Sequence, residues 1–340
     1  MEPESFAPNL RTAAIWLGLA AALALLWIAR QALLVVFAAY LLSLFLRLMT
    51  NVICKAAPLS REAGLFLSVV ALGAVLLLCL WLFGSSMAAQ VDDILKEAKQ
   101  GISEVRALMK QNGMPLPSLS AGLSFVDGAL PGFLTMSVGM AELAIVVAVM
   151  AIYLAVEPGV YRAGMVAMFP RLLRPKGAEA LCLIGASLRL WLMGQIVIMA
   201  IVGVLSFVGL MAIGVPNALA LALIAGLAEF VPYLGPFVAA APAVLIALTR
   251  GPTMALWTIL IYLAIHLFEG YLVAPLLQRW FVRIPPALIL SSIVASQLVF
   301  GMGGIVLAAP LAVAIFAAVK VLYIRDTLHE PADLPDKAPI

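Results

Sequence analysis

EFVPYLGPF, residues Glu229–Phe237, interrupts one of the most apolar parts of the chain. Glu229 is the only charged side chain between Arg189 and Arg250, and two prolines and a glycine follow it within seven residues. Each proline removes a backbone donor and obstructs a preceding carbonyl group, and it also biases the residue before it away from helix. The segment VPYLGP is therefore predicted to be non-helical, inside a run that is otherwise typical of membrane helices.

The composition indicates a membrane protein. Hydrophobic residues make up 65% of the 340 residues and charged residues 11%, whereas an ordinary soluble domain has about 45–50% and about 25%. The apolar runs are long and unbroken, unlike the short alternating strands of a membrane β-barrel. We therefore predict an all-α, polytopic helical membrane protein. It would have about six full spans plus two Gly/Pro-broken re-entrant or hairpin segments, or alternatively eight spans.

Apolar runs of about 20 residues indicate where the spans lie. The first two, 13–29 and 32–46, are separated only by Arg30-Gln31, which predicts a tight hairpin. The first run is expected to be a retained span and not a signal peptide, because the segment before it is acidic. Further spans are predicted at about 64–84, 133–156 and 191–213.

Residues 87–130 differ from the rest, because charges of both signs alternate with an apolar seam. The seam has the spacing of an amphipathic helix or a short coiled coil. Such a helix either lies on the membrane or packs on its own neighbour, or it forms a contact between subunits of a homo-oligomer. The seam residues are Val91, Leu95, Ala98, Ile102, Val105 and Met109.

Lys/Arg-rich segments indicate the orientation. Residues 47–62 and 157–190 are predicted to be cytoplasmic loops, and both termini are expected in the cytoplasm, with 87–130 outside. The predicted organisation has five parts: three spans in 1–86, an extracytoplasmic helical segment in 87–130, the fourth span and a basic loop in 131–190, a transport core in 191–325 and a polar tail in 326–340.

Two apolar runs are broken by proline and glycine. The run 217–249 would be about 50 Å long as a straight helix, which exceeds a hydrocarbon core of about 30 Å but is too short for two spans. The run 284–319 carries no charge and is interrupted by FGMGG, residues 300–304. A pair of such segments is the best sequence indication of a transporter's binding site. We therefore expect two hairpins whose tips form one site.

Residues 215–320 resemble the autoinducer-2 exporter family of bacterial permeases, and the general layout of the chain is similar as well. The resemblance implies a secondary transporter in the bacterial cytoplasmic (inner) membrane, and some members of that family look like sodium(lithium)/proton antiporters. Tyr271 and Ser296-Gln297 depart from the family pattern. The matching positions are Pro232, Tyr233, Leu234, Gly235, Pro236, Glu269, Gly270, Pro275, Pro286, Phe300, Gly301, Gly304, Pro310 and Leu311.

Ionisable residues within the spans are the candidates for transport, since each costs a few kcal/mol in a membrane and faces a cavity or a partner. Glu229 and Glu269 adjoin broken segments, whereas Glu142 and Glu157 lie nearer to the span ends. His266 lies one helical turn before Glu269, so it either relays protons or makes a structural hydrogen bond. The expected substrate- or ion-binding residues are Glu229, Pro232, Tyr233, Gly235, Pro236, Glu269, Gln297, Gly301 and Gly304.

The sequence shows no hydrolytic, metal-binding or ATP-binding constellation. The cysteines Cys54, Cys79 and Cys182 are far apart and follow no ligand spacing. We therefore expect no enzyme activity, no cofactor and no nucleic-acid partner. The expected partners are a small-molecule or ion substrate, the lipid bilayer and further copies of the chain.

Three functional hypotheses follow. The first is an exporter of a small polar, autoinducer-2-like solute that works by alternating access. The second is a sodium(lithium)/proton antiporter. The third is a membrane scaffold that transports nothing.

Overall fold

The computed structural model describes residues 6–75, 77–78, 142–248, 250–273, 275–276, 285–325 and 328. The regular elements in these ranges are all helical. The apolar seam in 87–130 and the second half of the predicted third span lie outside the described residues. The helices are α1 (Phe6–Ala56), α2 (residues 61–75), α3 (Glu142–Val156), α4 (Pro158–Ala167), α5 (Arg174–Ala212), α6 (Ala218–Ala228), α7 (Gly235–Leu248), α8 (Pro252–Phe268), α9 (Pro286–Phe300) and α10 (Met302–Val319).

The predicted class, a polytopic helical membrane protein, is confirmed. Within the described ranges four helices are long and apolar enough to cross a bilayer, or five if the bent pair α3–α4 is one span. The four are α1, α5, α8 and α10, where π-helical turns extend α8 over Glu269–Val273 and α10 over Lys320–Arg325.

The hairpin predicted at Arg30-Gln31 is wrong, because α1 runs through this position as one helix. Its 51 residues correspond to a length of about 75 Å. Arginine and glutamine are good helix formers, so a polar pair alone does not end a helix. The Arg30 guanidinium lies 4.0 Å from the centre of the Trp27 ring, so a cation–π contact accommodates the charge within the apolar helix.

The basic segment 157–190 is also not a loop over most of its length. It contains α4 and the first part of α5, which begins at Arg174 and has 39 residues. Charged side chains end a hydrophobic run without ending the helix, since helix formation depends on the backbone and on breakers such as proline. The predicted end of the fifth span at GVPN is confirmed, because α5 stops at Ala212 and Asn217 adopts a left-handed conformation (φ 56°).

Both predicted interruptions are present. Helices α6 and α7, of 11 and 14 residues, are separated by the irregular residues 229–234. Each helix is only about 16–21 Å long, so each is short for a full span. Helices α9 and α10 are separated at Gly301, which has φ 71° and ψ −151°, a region that essentially only glycine occupies.

Two apolar clusters hold the hairpins against the long helices. The α6–α7 hairpin packs on α5 and α8, and its core includes Leu210, Ala225, Ala243 and Ile246. A second cluster joins α1, α5 and α10, and it also contains residues from the two breaks. Its members include Leu34, Leu41, Leu188, Leu307 and Val313, with Trp191, Phe230 and Phe300 packed against them.

Candidate functional site

The break between α6 and α7 is a tightly packed and strained turn. Tyr233 has φ 67°, an uncommon conformation for an aromatic residue and one that costs of order 1–3 kcal/mol. A Cβ atom at Gly235 would lie 2.5 Å from the Ala228 carbonyl oxygen and 2.7 Å from the Glu229 Cα. The turn therefore depends on glycine at 235. Pro236 is in the first turn of α7, where a missing N–H costs nothing.

Each broken helix end has a carbonyl group that accepts a hydrogen bond from a glutamine of a long helix. The Gln195 side chain of α5 donates to the Glu229 carbonyl oxygen at 2.5 Å, and this bond is buried. The Gln31 side chain of α1 donates to the Phe300 carbonyl oxygen at 3.2 Å, at an exposed position. Backbone groups released at a helix end need such partners when water is excluded. The glutamines thus attach both breaks to the long helices.

Glu229 and Glu269 form the centre of the candidate site. Glu229 is 1% exposed and the Glu269 side chain 17%. The two side chains come from different elements, the end of α6 and the end of α8, and both reach the same cavity. They line a cavity with a volume of about 10 Å³, which has room for about one water molecule. The cavity is lined by Val202, Glu229, Pro236, Ala239, Tyr262, Ile265, His266 and Glu269.

Several polar atoms around this cavity have no hydrogen-bond partner. In the described part of the chain, buried side-chain atoms without a partner include Glu229 Oε2, Tyr262 Oη and His266 Nδ1, all on residues that line the cavity. Ser206 Oγ is a further such atom, and it adjoins the Tyr262 hydroxyl group. Buried polar groups are normally paired, so an accumulation of unpaired ones marks a place that an ion, water or ligand can occupy.

His266 shares a helix face with Glu269, as the spacing predicts. Its Nδ1 atom lies 3.7 Å from Glu269 Oε2, which is beyond ordinary hydrogen-bond length. The side chain is 40% exposed, and its ring lies 6.5 Å from that of Phe237, measured between centroids. In this conformation the His266 side chain is partly exposed beside Glu269 and makes no hydrogen bond through Nδ1.

The remaining predicted residues are distributed over two places. Tyr233 is 38% exposed and lies within electrostatic range of Glu269. Pro232 is half-buried in the same turn. Gln297 is exposed, and neither it nor Gly301 nor Gly304 lines the cavity of the carboxyl pair. The second break meets the first through the apolar cluster of Phe230 and Phe300, so a shared binding site stays a prediction.

Sequence reasoning missed three residues of this region. Gln31 was assigned to a loop, and Ser206 and Tyr262 were not selected. Their spacing contains a signal: Tyr262, His266 and Glu269 recur at intervals of four and three residues, which places them on one helix face. Val202 and Ser206 are similarly one turn apart on α5. Glu142 and Glu157, in contrast, are both exposed.

The chain was compared with known families and proteins. The family model described as "AI-2E family transporter" matches residues 17–324. "Putative transport protein YueF" of Bacillus subtilis (strain 168) is 28% identical over 47% of this chain and 42% of its own length. "Putative transport protein YrrI" of the same organism is 29% identical over 46% and 44%. The chain spans less than half the length of these curated relatives. Because the family model covers most of the chain, the protein belongs to the AI-2E transporter family.

Proposed function

We propose that the protein is a secondary transporter that exports a small polar solute by alternating access, with Glu229 and Glu269 as the site that couples transport to an ion. The membership in a transporter family supports the general class. The observation that carries the proposal is that two carboxyl groups, Glu229 at the break between α6 and α7 and Glu269 at the end of α8, line one small cavity. The autoinducer-2-like nature of the solute rests on the family description alone.

The chemistry of the pair suits proton coupling. A carboxyl group donates a hydrogen bond only when it is protonated, so a hydrogen bond between two carboxyl groups needs one shared proton. Two ionised carboxylates without a cation would repel each other in a dry cavity. The pair therefore has two favourable states, one with a proton and one with a cation, and a transporter can alternate between them.

The size of the cavity indicates the state of the site. Room for about one water molecule suits a proton, a water or a small cation but not an organic solute. In the alternating-access proposal this conformation is therefore closed around the ion site. A larger space would open when the α6–α7 hairpin moves relative to α5 and α8, since lids and hinges commonly gate such sites.

The test is transport by the purified protein in proteoliposomes, measured against a panel of small hydroxylated solutes with and without a pH gradient. Glu229→Gln and Glu269→Gln should each lose gradient-driven transport, because the amide cannot exchange a proton. Glu142→Gln and Glu157→Gln are matched controls, since both change an exposed carboxyl group and should transport normally. Wild-type rates in both site variants would refute the role of the carboxyl pair, whereas a wild-type protein that moves none of the solutes would favour a scaffold.

A cation/proton antiporter is the second candidate, and the same cavity favours it. Two carboxyl groups, the Tyr262 hydroxyl group and no room for an organic solute would suit Na⁺ or Li⁺, which prefer oxygen ligands. In everted vesicles an imposed acid interior should then be reversed by adding sodium or lithium. The interior pH is followed with a pH-sensitive fluorescent dye. If neither cation changed the dye signal over a range of pH, this candidate would be excluded.

A further inference from the structure

The corner formed by α3, α4 and α5 has the geometry of a membrane surface element. Helix α4 turns by 91° from α3 at Glu157. If α3 crosses the bilayer, α4 lies in the plane of the membrane surface. Pro158 at the start of α4 is compatible with such a sharp bend, because proline favours the first turn of a new helix.

The surface of α4 fits this position. Within α4 no residue is buried. Tyr161 and Met165 are 41% and 42% exposed, and the turn that follows exposes Met168 at 86% and Leu172 at 92%. Large apolar side chains at this level of exposure are stabilised when they insert at the boundary between headgroups and acyl chains.

A groove lies on the opposite face of α4. It has a volume of about 340 Å³ and is bounded by two arginines, Arg162 and Arg174, with small residues between them. The α4 positions in it follow helical spacing, so they form one face. The groove is lined by Gly159, Arg162, Ala163, Val166, Ala167, Arg174 and Ala178.

Arg174 is held in place before any ligand binds. Its Nε atom donates to the Phe169 carbonyl oxygen at 3.3 Å, and its Nη2 atom donates to the Ala167 carbonyl oxygen at 3.2 Å. The Phe169 ring packs on Gly177 of α5, which fixes the turn further. Arg162, in contrast, makes no hydrogen bond or ion pair with another described residue. One guanidinium is thus preorganised and a second is available.

We propose that this groove binds the headgroup phosphate of an anionic phospholipid, whose acyl chains lie beside Met168 and Leu172. Charge complementarity carries the assignment, because Arg171 and Lys176 add to the positive charge at the same corner. Of the two acids nearby, Glu157 precedes α4 and Glu179 forms an ion pair with Arg325. Basic pockets beside membrane helices recognise anionic headgroups in this way, and guanidinium groups match phosphate geometry. The site is separate from the carboxyl pair, so the lipid assignment does not depend on the proposed transport function.

The test uses the purified full-length protein and native mass spectrometry with phosphatidylglycerol or phosphatidylcholine of identical acyl chains. The wild type should retain phosphatidylglycerol preferentially. Arg162→Gln should weaken its binding about fivefold, as expected for one basic residue near an anionic surface. Arg61→Gln removes the same charge from the exposed first residue of α2 and should leave binding unchanged. Equal losses in both variants would overturn the site in favour of diffuse attraction.

Two further measurements test whether the lipid occupies the groove itself and whether the ligand is a lipid. Ala163→Leu fills the groove without changing the charge, and it should also release the lipid; full binding by this variant would contradict the proposal. Glycerol 3-phosphate is the soluble probe. If millimolar amounts displaced the lipid completely, the site would be one for free phosphate esters and the lipid assignment would be wrong.

Discussion

Glu229 combines two features that rarely occur together in a membrane helix. Its carboxyl group is buried with one oxygen atom that has no partner, while its backbone carbonyl group is fixed by Gln195. An ionised group in such a place is costly unless it meets a partner. Because the backbone is held, the side chain can exchange its partner without movement of the turn.

The Tyr262 hydroxyl group provides a residue-level test of the cavity. Tyr262→Phe removes a buried hydroxyl group that adjoins Ser206 but makes no hydrogen bond of good geometry, so the thermal stability should change little. Transport should fall nevertheless if the hydroxyl group contacts the ion or its water. Tyr153→Phe, at a side chain that is 63% exposed on α3, is the control. A loss of stability together with normal transport would assign Tyr262 a structural role only.

The two glutamines should differ in their importance for stability. Gln195→Leu leaves the buried Glu229 carbonyl group without its side-chain donor, which should cost about 1–3 kcal/mol. Gln31→Leu removes a bond at an exposed position, where water or a lipid headgroup can replace it, so its cost should be below about 1 kcal/mol. Thermal unfolding of the purified variants measures both. A larger loss for Gln31→Leu would show that the second break depends more on its glutamine.

At the scale of elements, the α6–α7 hairpin depends on the close approach of its two arms. Gly235→Ala would place a methyl group 2.5 Å from the Ala228 carbonyl oxygen. This neighbour is a backbone atom, so it cannot rotate out of the way as a side chain can. We expect a loss of about 1–3 kcal/mol and a displaced turn. Gly164→Ala in α4 is a matched control, since the added methyl group meets open space and should stabilise the helix by up to about 1 kcal/mol.

Comparing these two variants tests whether steric crowding causes the loss of stability in Gly235→Ala. Unfolding midpoints in detergent should move in opposite directions, and gradient-driven transport should be lost for Gly235→Ala alone. Equal midpoints would indicate that the turn is looser than its geometry implies.

At the scale of the whole molecule, the continuous α1 changes the expected topology. A helix that crosses the bilayer once has its ends on opposite sides, so the start of α1 and the basic segment 47–62 cannot both be cytoplasmic. The ion pair of Arg325 with Glu179, with both N–O distances at 3.3 Å, supports the prediction that the segment 157–190 and the end of α10 lie on one side.

Labelling of single cysteines tests this topology. In a background without the native cysteines, Thr12→Cys and Leu59→Cys should react with a membrane-impermeant maleimide from opposite sides, one in cells and the other in everted vesicles. Labelling of both from the same side would restore the hairpin at Arg30-Gln31.

The sequence by itself determined the helical membrane class and the positions of both breaks. Hydrophobicity and proline or glycine chemistry act locally, so VPYLGP and Gly301 could be recognised without knowing their neighbours. It failed where a charge was taken for a helix end, at Arg30 within α1 and at Arg189 within α5, because charge does not oppose helical backbone geometry.

Only the tertiary structure shows which residues belong to the site. Glu229 and Glu269 are 40 positions apart, and no local rule states that the break after α6 and the helix α8 face the same cavity or that Tyr262 lines it. Gln195 and Gln31 bond to the two broken ends, and the sequence did not reveal either pairing. The physical reason is that helix packing joins faces of distant segments, and a single sequence records the faces but not which of them meet.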